Sequence, residues 1–170
     1  FWFLKAIINV IIEQNIKEII KIRDITIVLI GFGGGFRRSE LISIDFEDLE
    51  FVEEGLKITL RKSKTDQYGE GMVKGLPYFK NQIYCPVSNI KKWINMSNIK
   101  SGPIFRRFMK GAKLSDKRLT DQTVVLLIKK YLKMAGIENT NYSGHSLRSG
   151  FATVAADSGA DAQFITYMTG

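Results

Sequence analysis

Residues 17–33 constrain the fold more than any other stretch of this chain. Ile19, Ile20, Ile22, Ile25, Val28, Leu29 and Phe32 leave a helix of this segment almost no polar side. A helix that is apolar all round belongs inside a protein, so the pattern predicts a central helix with other elements packed about it. Gly33-Gly34-Gly35 follows and predicts its end. At 170 residues the chain is long enough for one hydrophobic core, and no repeat or linker divides it. Residues 1–170 are therefore read as a single domain.

The other elements follow from changes of period. Leu4 to Ile12 predicts a first helix, and Arg37 to Ile44 a short helix after the glycines. Leu49 and Phe51, then Ile58 and Leu60, alternate with charged residues and are broken by Glu53-Glu54-Gly55, which reads as antiparallel strands. Asp66 to Gly71 supplies a second turn, and Met72 to Tyr78 a third strand. Pro86 opens a helix through Ile94. Thr120 is the expected N-cap of an amphipathic helix whose stripe is Val124, Leu127, Ile128, Tyr131, Leu132 and Ala135, and Gly136 stops it. Ser143 is expected to cap a helix running to about Asp157, and a last short helix is expected over Ala160 to Met168. The predicted class is α+β, mostly helical, with a small three-stranded antiparallel sheet.

Charge narrows the partner. The formal charge is +8 and the pI about 9.6, a surplus that points to a polyanion, with nucleic acid first. A membrane partner is disfavoured, because no stretch approaches the ~20 apolar residues of a span. The single cysteine, Cys85, excludes an intramolecular disulfide and fits a reducing, cytoplasmic compartment. It is read as structural.

Four places hold residues with chemistry to offer. In Gly144-His145-Ser146-Leu147-Arg148, His145 and Arg148 lie three apart and share a helical face, His145 well away from the buried stripe of Leu147, Phe151, Val154 and Ala155 and Arg148 at its edge. A phosphate there would meet a helix N-terminus, an imidazole and a guanidinium together. In Gly35-Phe36-Arg37-Arg38-Ser39-Glu40-Leu41, adjacent arginines cannot share a face, so one is expected inward and one outward, with Glu40 bracing Arg37. The glycines before it are no phosphate loop, since they follow a helix and lack the Gly-Lys-Ser/Thr ending. The turn Arg61-Lys62-Ser63-Lys64-Thr65-Asp66 offers Lys64 as a general acid, with Lys62 its nearest competitor. Finally Lys100, Phe105, Arg106, Arg107, Phe108, Lys110, Lys113, Lys117 and Arg118 read as a phosphate-tracking surface. Arg38, Lys62, Arg106, Arg107, Lys110, Lys113, Lys117 and Arg118 are the expected DNA-binding set. Glu47, Asp48, Glu50, Glu53 and Glu54 read as a solvated acidic edge, and no metal site is expected.

Taken in order, these motifs resemble the catalytic domain of tyrosine site-specific recombinases of the phage-integrase type, across nearly all of the chain. The resemblance rests on Gly35 to Leu41 after a buried helix, Ser63-Lys64-Thr65-Asp66 on a hairpin, and Gly144 to Arg148. It implies a DNA breaking–rejoining fold acting on double-stranded DNA. Arg37 and Arg148 would clamp the scissile phosphate, His145 would assist proton transfer, and Lys64 would protonate the departing 5′ oxygen. Glu40 would support Arg37. A tyrosine would attack to give a 3′-phosphotyrosyl link, with no cofactor or metal. The resemblance also implies a homotetramer on DNA in a full-length parent.

The departures are equally definite. The family carries a further His or Trp after Thr-Gly and a nucleophilic tyrosine about nine residues later, whereas this sequence stops at Thr169-Gly170. Tyr167, Tyr142 and Tyr131 do not fit that position, so no nucleophile is assigned within the chain. The chain is expected to be a C-terminally truncated catalytic domain, inactive as it stands, without the N-terminal DNA-clamping domain. Three other readings compete: a type IB topoisomerase-like enzyme, a non-catalytic DNA-binding integrase relic, and a basic protein–protein interaction domain. Compact size and the Arg-Ser-Glu-Leu and His-Ser-Leu-Arg forms weigh against the first.

Overall fold

The computed structural model describes residues 2–61, 68–137, 146–157 and 159. Its elements in chain order are helices α1 (Trp2–Glu13), α2 (Glu18–Gly33) and α3 (Arg38–Ser43), then strands β1 (Leu49–Val52), β2 (Gly55–Leu60) and β3 (Met72–Pro77). Helix α4 (Pro86–Ser97), strands β4 (Arg106–Met109) and β5 (Lys113–Arg118), and helices α5 (Asp121–Met134) and α6 (Ser146–Asp157) complete it. The class is mixed and mainly helical, as the periodicities predict.

Helix α2 is the axis of the domain. It is buried without a break from Ile22 to Phe32 and packs against α1, α3, α4, α5 and α6. Helix α1 lays Leu4, Ile7, Ile8 and Ile11 on it, and α5 contributes Val124, Leu127, Ile128 and Tyr131. Each such aliphatic side chain taken fully out of water contributes about 1.5 to 3 kcal/mol. Polar groups inside this core are paired. The Thr26 hydroxyl donates to the Ile22 carbonyl at 2.7 Å, and Tyr131 donates to Asp24 Oδ2 at 2.6 Å. Asp24 Oδ1 also accepts from Arg23 Nε and Nη2 at 2.9 and 2.8 Å.

Two glycines let α6 approach. A Cβ on Gly31 would lie 2.6 Å from Leu147 Cδ1, and one on Gly150 would lie 2.8 Å from Phe3 and 3.1 Å from Phe32. Bare backbone at both points seats Leu147 in the core beside α2.

The three-stranded sheet has the order β1-β2-β3, antiparallel throughout, with Val52 facing Gly55 across the Glu53-Glu54 turn. Its inward side is Leu56, Ile58, Leu60, Lys74 and Leu76. A second, two-stranded sheet, β4-β5, was not expected. Its β5 sequence, Lys-Leu-Ser-Asp-Lys-Arg, is too polar to show strand alternation, and a register shift between Arg106 and Phe108 breaks the period further. Asp48 corrects the reading of a solvated acidic edge, because it is buried and paired with Arg61 Nε at 3.1 Å. Thr120 does cap α5, accepting from the Thr123 N–H. Cys85 is wholly buried, its Sγ accepting from the Phe79 N–H at 3.3 Å. The expected Ser143 cap and the helix over Ala160 to Met168 lie outside the described residues. Among the described residues, no helix is long and apolar enough to cross a membrane.

Candidate active site

The site begins at the C-terminus of α2. The Phe36 N–H bonds the Gly31 carbonyl at 3.1 Å and the Gly35 N–H bonds Phe32 at 3.2 Å, a helix-ending pair that needs a left-handed residue between. Gly35 supplies it with φ of 58°. The chain turns sharply, buries Phe36, and presents Arg37 at the start of α3.

Arg37 and Arg38 then diverge. Glu40 holds Arg37 twice, accepting from its backbone N–H at 2.9 Å and from Nη1 at 3.0 Å. Both partners are shielded, with 17% and 7% of their side chains exposed, so the brace operates at reduced dielectric. Arg38 points outward to Asp121 on α5 at 3.3 Å.

Arg148 arrives from the other end of the chain, on the first turn of α6. Burial lowers its pKa from the ordinary guanidinium value, the charge of Arg37 adds to this, and Glu40 opposes it. The two arginines are therefore close enough to repel, and Glu40 acts on both.

A fourth ionic group was missed by sequence reasoning. Lys74 on β3 is 1% exposed, with Nζ 2.8 Å from the Gly34 carbonyl, 3.4 Å from that of Gly35, and 4.5 Å above the Phe36 ring. A lysine in a strand reads as solvent-facing. Its two-residue spacing from Leu76 was the available sign that it lies on the inward face. Burial pushes its pKa down to about 8; Glu40 opposes the shift, and Arg148 and Arg37 add to it. Its unfolded value is near 10.5, so the unfolded chain binds more protons between pH 8 and pH 10.5. Stability will therefore rise with pH across that window, by on the order of 3 kcal/mol from this group. Urea midpoints at pH 7.5 and 10 will show the rise in the native chain and its loss in Lys74→Met.

His145, Lys64 and Lys62 lie outside the described residues. Arg61, next to Lys62 in the chain, is described. Arg61 Nη2 meets Asp45 Oδ2 at 2.6 Å, and Arg118 Nη2 meets Asp45 Oδ1 at 2.6 Å. Burial alone would raise the Asp45 carboxyl, but Arg118 and Arg61 hold it below its ordinary value.

The remaining basic residues separate by strand parity. On the β4-β5 hairpin, Arg107, Lys113 and Lys117 are exposed, with Lys110 in the turn. Arg106 instead donates from Nε to the Pro103 carbonyl at 2.6 Å and pairs with Asp116, and Arg118 donates to the Ile42 carbonyl at 2.7 Å. Both guanidiniums are thus tied into the fold, Arg106 with 12% of its side chain exposed and Arg118 with 35%. The Tyr131 hydroxyl is buried on Asp24, and Tyr142 and Tyr167 are outside the described residues. Among the described residues, no cluster of three His, Cys, Asp or Glu side chains is arranged to hold a metal.

Known proteins share this architecture. The profile of the Phage integrase family matches residues 3–170. An integrase/recombinase xerD homolog of Selenomonas ruminantium is 42% identical over 148 residues, covering 87% of this chain and 43% of the relative. Tyrosine recombinase XerA of Pyrococcus furiosus is 30% identical over 164 residues, covering 93% of this chain and 51% of the relative. The chain thus spans about half the length of these relatives. Among solved structures, XerH recombinase in a post-cleavage complex with its palindromic difH substrate superposes with a TM-score of 0.76 at 16% identity, covering 98% of this chain and 43% of that one. The lambda integrase catalytic core gives 0.60 at 17% identity, covering 99% of this chain and 91% of that one. With the family profile running through both arginine motifs, the chain belongs to the phage integrase family, and its fold is that of the tyrosine-recombinase catalytic domain.

Proposed function

We propose that this chain forms the phosphate-binding side of a site-specific DNA recombinase. The observation that carries this reading is the convergence of Arg37 and Arg148 from the two ends of the chain, with Glu40 bracing one of them. Two guanidiniums at reduced dielectric present fixed donors to phosphate oxygens and stabilise charge as the phosphorus gains a fifth ligand. In the reaction a tyrosine oxygen attacks the scissile phosphorus, and the bond to the 5′ oxygen breaks. Lys64 supplies the proton that the 5′ oxygen takes up, and His145 steadies a phosphate oxygen. The 3′-phosphotyrosyl link conserves the bond energy, so a second strand's 5′ hydroxyl reverses the step without ATP. The attacking tyrosine is not assigned among residues 1–170. The whole protein is read as a cytoplasmic homotetramer on two duplexes, with no cofactor or metal assigned a step.

Outside the pocket, the β4-β5 hairpin supplies exposed cations beside α2. Lys17, just before α2, reaches the Gly111 carbonyl at 2.9 Å, while Arg118 reaches Ile42 on α3. The hairpin is thus tied at its turn to the start of α2 and at its base to α3. DNA affinity of this chain should fall linearly on a log–log plot against salt, and alanine at Lys113 or Lys117 should reduce the slope by about 0.9 each. Fluorescence anisotropy with a 20-base-pair duplex at several salt concentrations is the measurement. A slope near zero in the native chain would remove DNA as the partner.

A further inference from the structure

Helix α3 is too short to hold itself in place. At six residues it is roughly 9 Å long, well under the length of about 12 residues at which an isolated helix becomes even marginal in water. Its direction is therefore set by what grips it, and Arg37 is its N-cap. The first turn is held by the Arg37–Glu40 brace and the Arg38–Asp121 pair, and Leu41 is buried. The last turn is held from 76 residues further along the chain. Arg118, which ends β5, donates from Nη1 to the Ile42 carbonyl at 2.7 Å and from Nη2 to Asp45 Oδ1 at 2.6 Å. One planar guanidinium thus joins the end of α3 to the residue after its C-cap, which a point charge at this position would not do. Asp45 Oδ2 meets Arg61, just past β2, at 2.6 Å, so its carboxylate is held from both sides. The backbone converges on the same place. The Ile104 N–H donates to the Ile44 carbonyl at 3.1 Å, and the Phe46 N–H to that of Gly102 at 2.8 Å.

We propose that Arg118 is a positioning residue for Arg37: by bridging the Ile42 carbonyl and the Asp45 carboxylate, it fixes the far end of the short helix whose near end presents Arg37. The inference rests on the phosphate-clamp reading of Arg37 and Arg148. The preceding residue, Lys117, is exposed, so the strand end read as meeting the duplex is also the one that holds α3.

The test uses the full-length protein. Covalent-complex formation on a nicked duplex at saturating DNA gives the cleavage rate, and fluorescence anisotropy at several salt concentrations gives affinity. Arg118→Met is expected to slow cleavage about 10- to 100-fold, the scale of loss when a group is misplaced by about 1 Å. The duplex Kd and its salt slope should stay at native values. In an Arg37→Ala background the same change should cost less than about twofold, because it acts through Arg37. Arg118→Lys keeps the charge and loses the fork, so the same split is expected of it, and it decides the matter if the Met variant does not fold. Weakened affinity with a salt slope lower by about 0.9 would make Arg118 a phosphate contact and overturn the proposal. Native cleavage rates would also overturn it, as would an undiminished loss in the Arg37→Ala background, which would leave Arg118 a merely structural tie. Native cleavage by Arg37→Ala alone would instead overturn the clamp reading beneath it.

Discussion

Alanine in place of Arg148 in the full-length protein is expected to slow DNA strand cleavage about 100- to 1,000-fold, with duplex affinity far less affected. That is the usual loss when one preorganised donor to a developing oxyanion is removed, about 2.7 to 4 kcal/mol. Affinity should change little because it is spread over many phosphates, whereas the transition state depends on the few donors that touch it. Arg37→Ala should slow cleavage by a similar factor and also destabilise the fold, since the shielded Glu40 loses the guanidinium that braces it at 3.0 Å. The double variant should fall well short of the product of the two losses, because the arginines act as a unit. Lysine should not restore either site, because a point charge cannot reproduce the planar fork. The assay is covalent-complex formation on a nicked substrate, with urea midpoints run alongside. Cleavage at native rates in both alanine variants would overturn the phosphate-clamp assignment.

Asp24→Ala is expected to cost about 3 to 5 kcal/mol of stability, the typical loss when one member of a buried ion pair is removed. Asp24 is 3% exposed, and the network it anchors joins three elements. It accepts from Arg23 on its own helix and from Tyr131 on α5 at 2.6 Å. Arg23 in turn reaches the Arg106 carbonyl on β4 at 3.2 Å and lies 4.6 Å over the Phe108 ring. Without the carboxylate, a buried guanidinium loses its counter-charge and a buried phenol loses its acceptor. Tyr131→Phe should cost less, about 1 to 3 kcal/mol, since it removes only one donor. The combined change Arg23→Met with Asp24→Leu should recover most of the loss, because no charge is then left buried. Urea denaturation of all three variants is the measurement. A loss below 1 kcal/mol for Asp24→Ala would show that water replaces the carboxylate and that the network adds little.

Much of the fold was legible because it follows from period and punctuation. The apolar run at 19–32, the glycines at 33–35 and the alternation at 49–60 each carry one meaning, and the structure gives α2, its turn and the first sheet. The Arg37–Glu40 brace was legible from the three-residue spacing, and so was the divergence of Arg37 and Arg38. The β4-β5 hairpin was not legible. Its residues are polar, and its irregular pairing hides the parity that would have placed Arg106 and Arg118 inside and Arg107, Lys113 and Lys117 outside. Asp48 was misplaced and Lys74 missed for a shared reason. Charged residues in strands are read as solvated unless a partner is known, and both partners come from distant segments: Arg61 for the first and the Gly34 carbonyl for the second.

The seating of α6 against Gly31 makes α2 a gauge for the spacing of Arg37 and Arg148. Leu147 lodges at Gly31, and the chain leaves the same helix at Gly33–Gly35 to present Arg37. Both guanidiniums are thus referenced to one rigid rod, less than two turns of helix apart, although they come from opposite ends of the sequence. Their separation is inherited from helical geometry. A side chain added at position 31 would meet Leu147 first and disturb the seat of its neighbour Arg148. The spacing of the two arginines is therefore written in a residue that has no side chain.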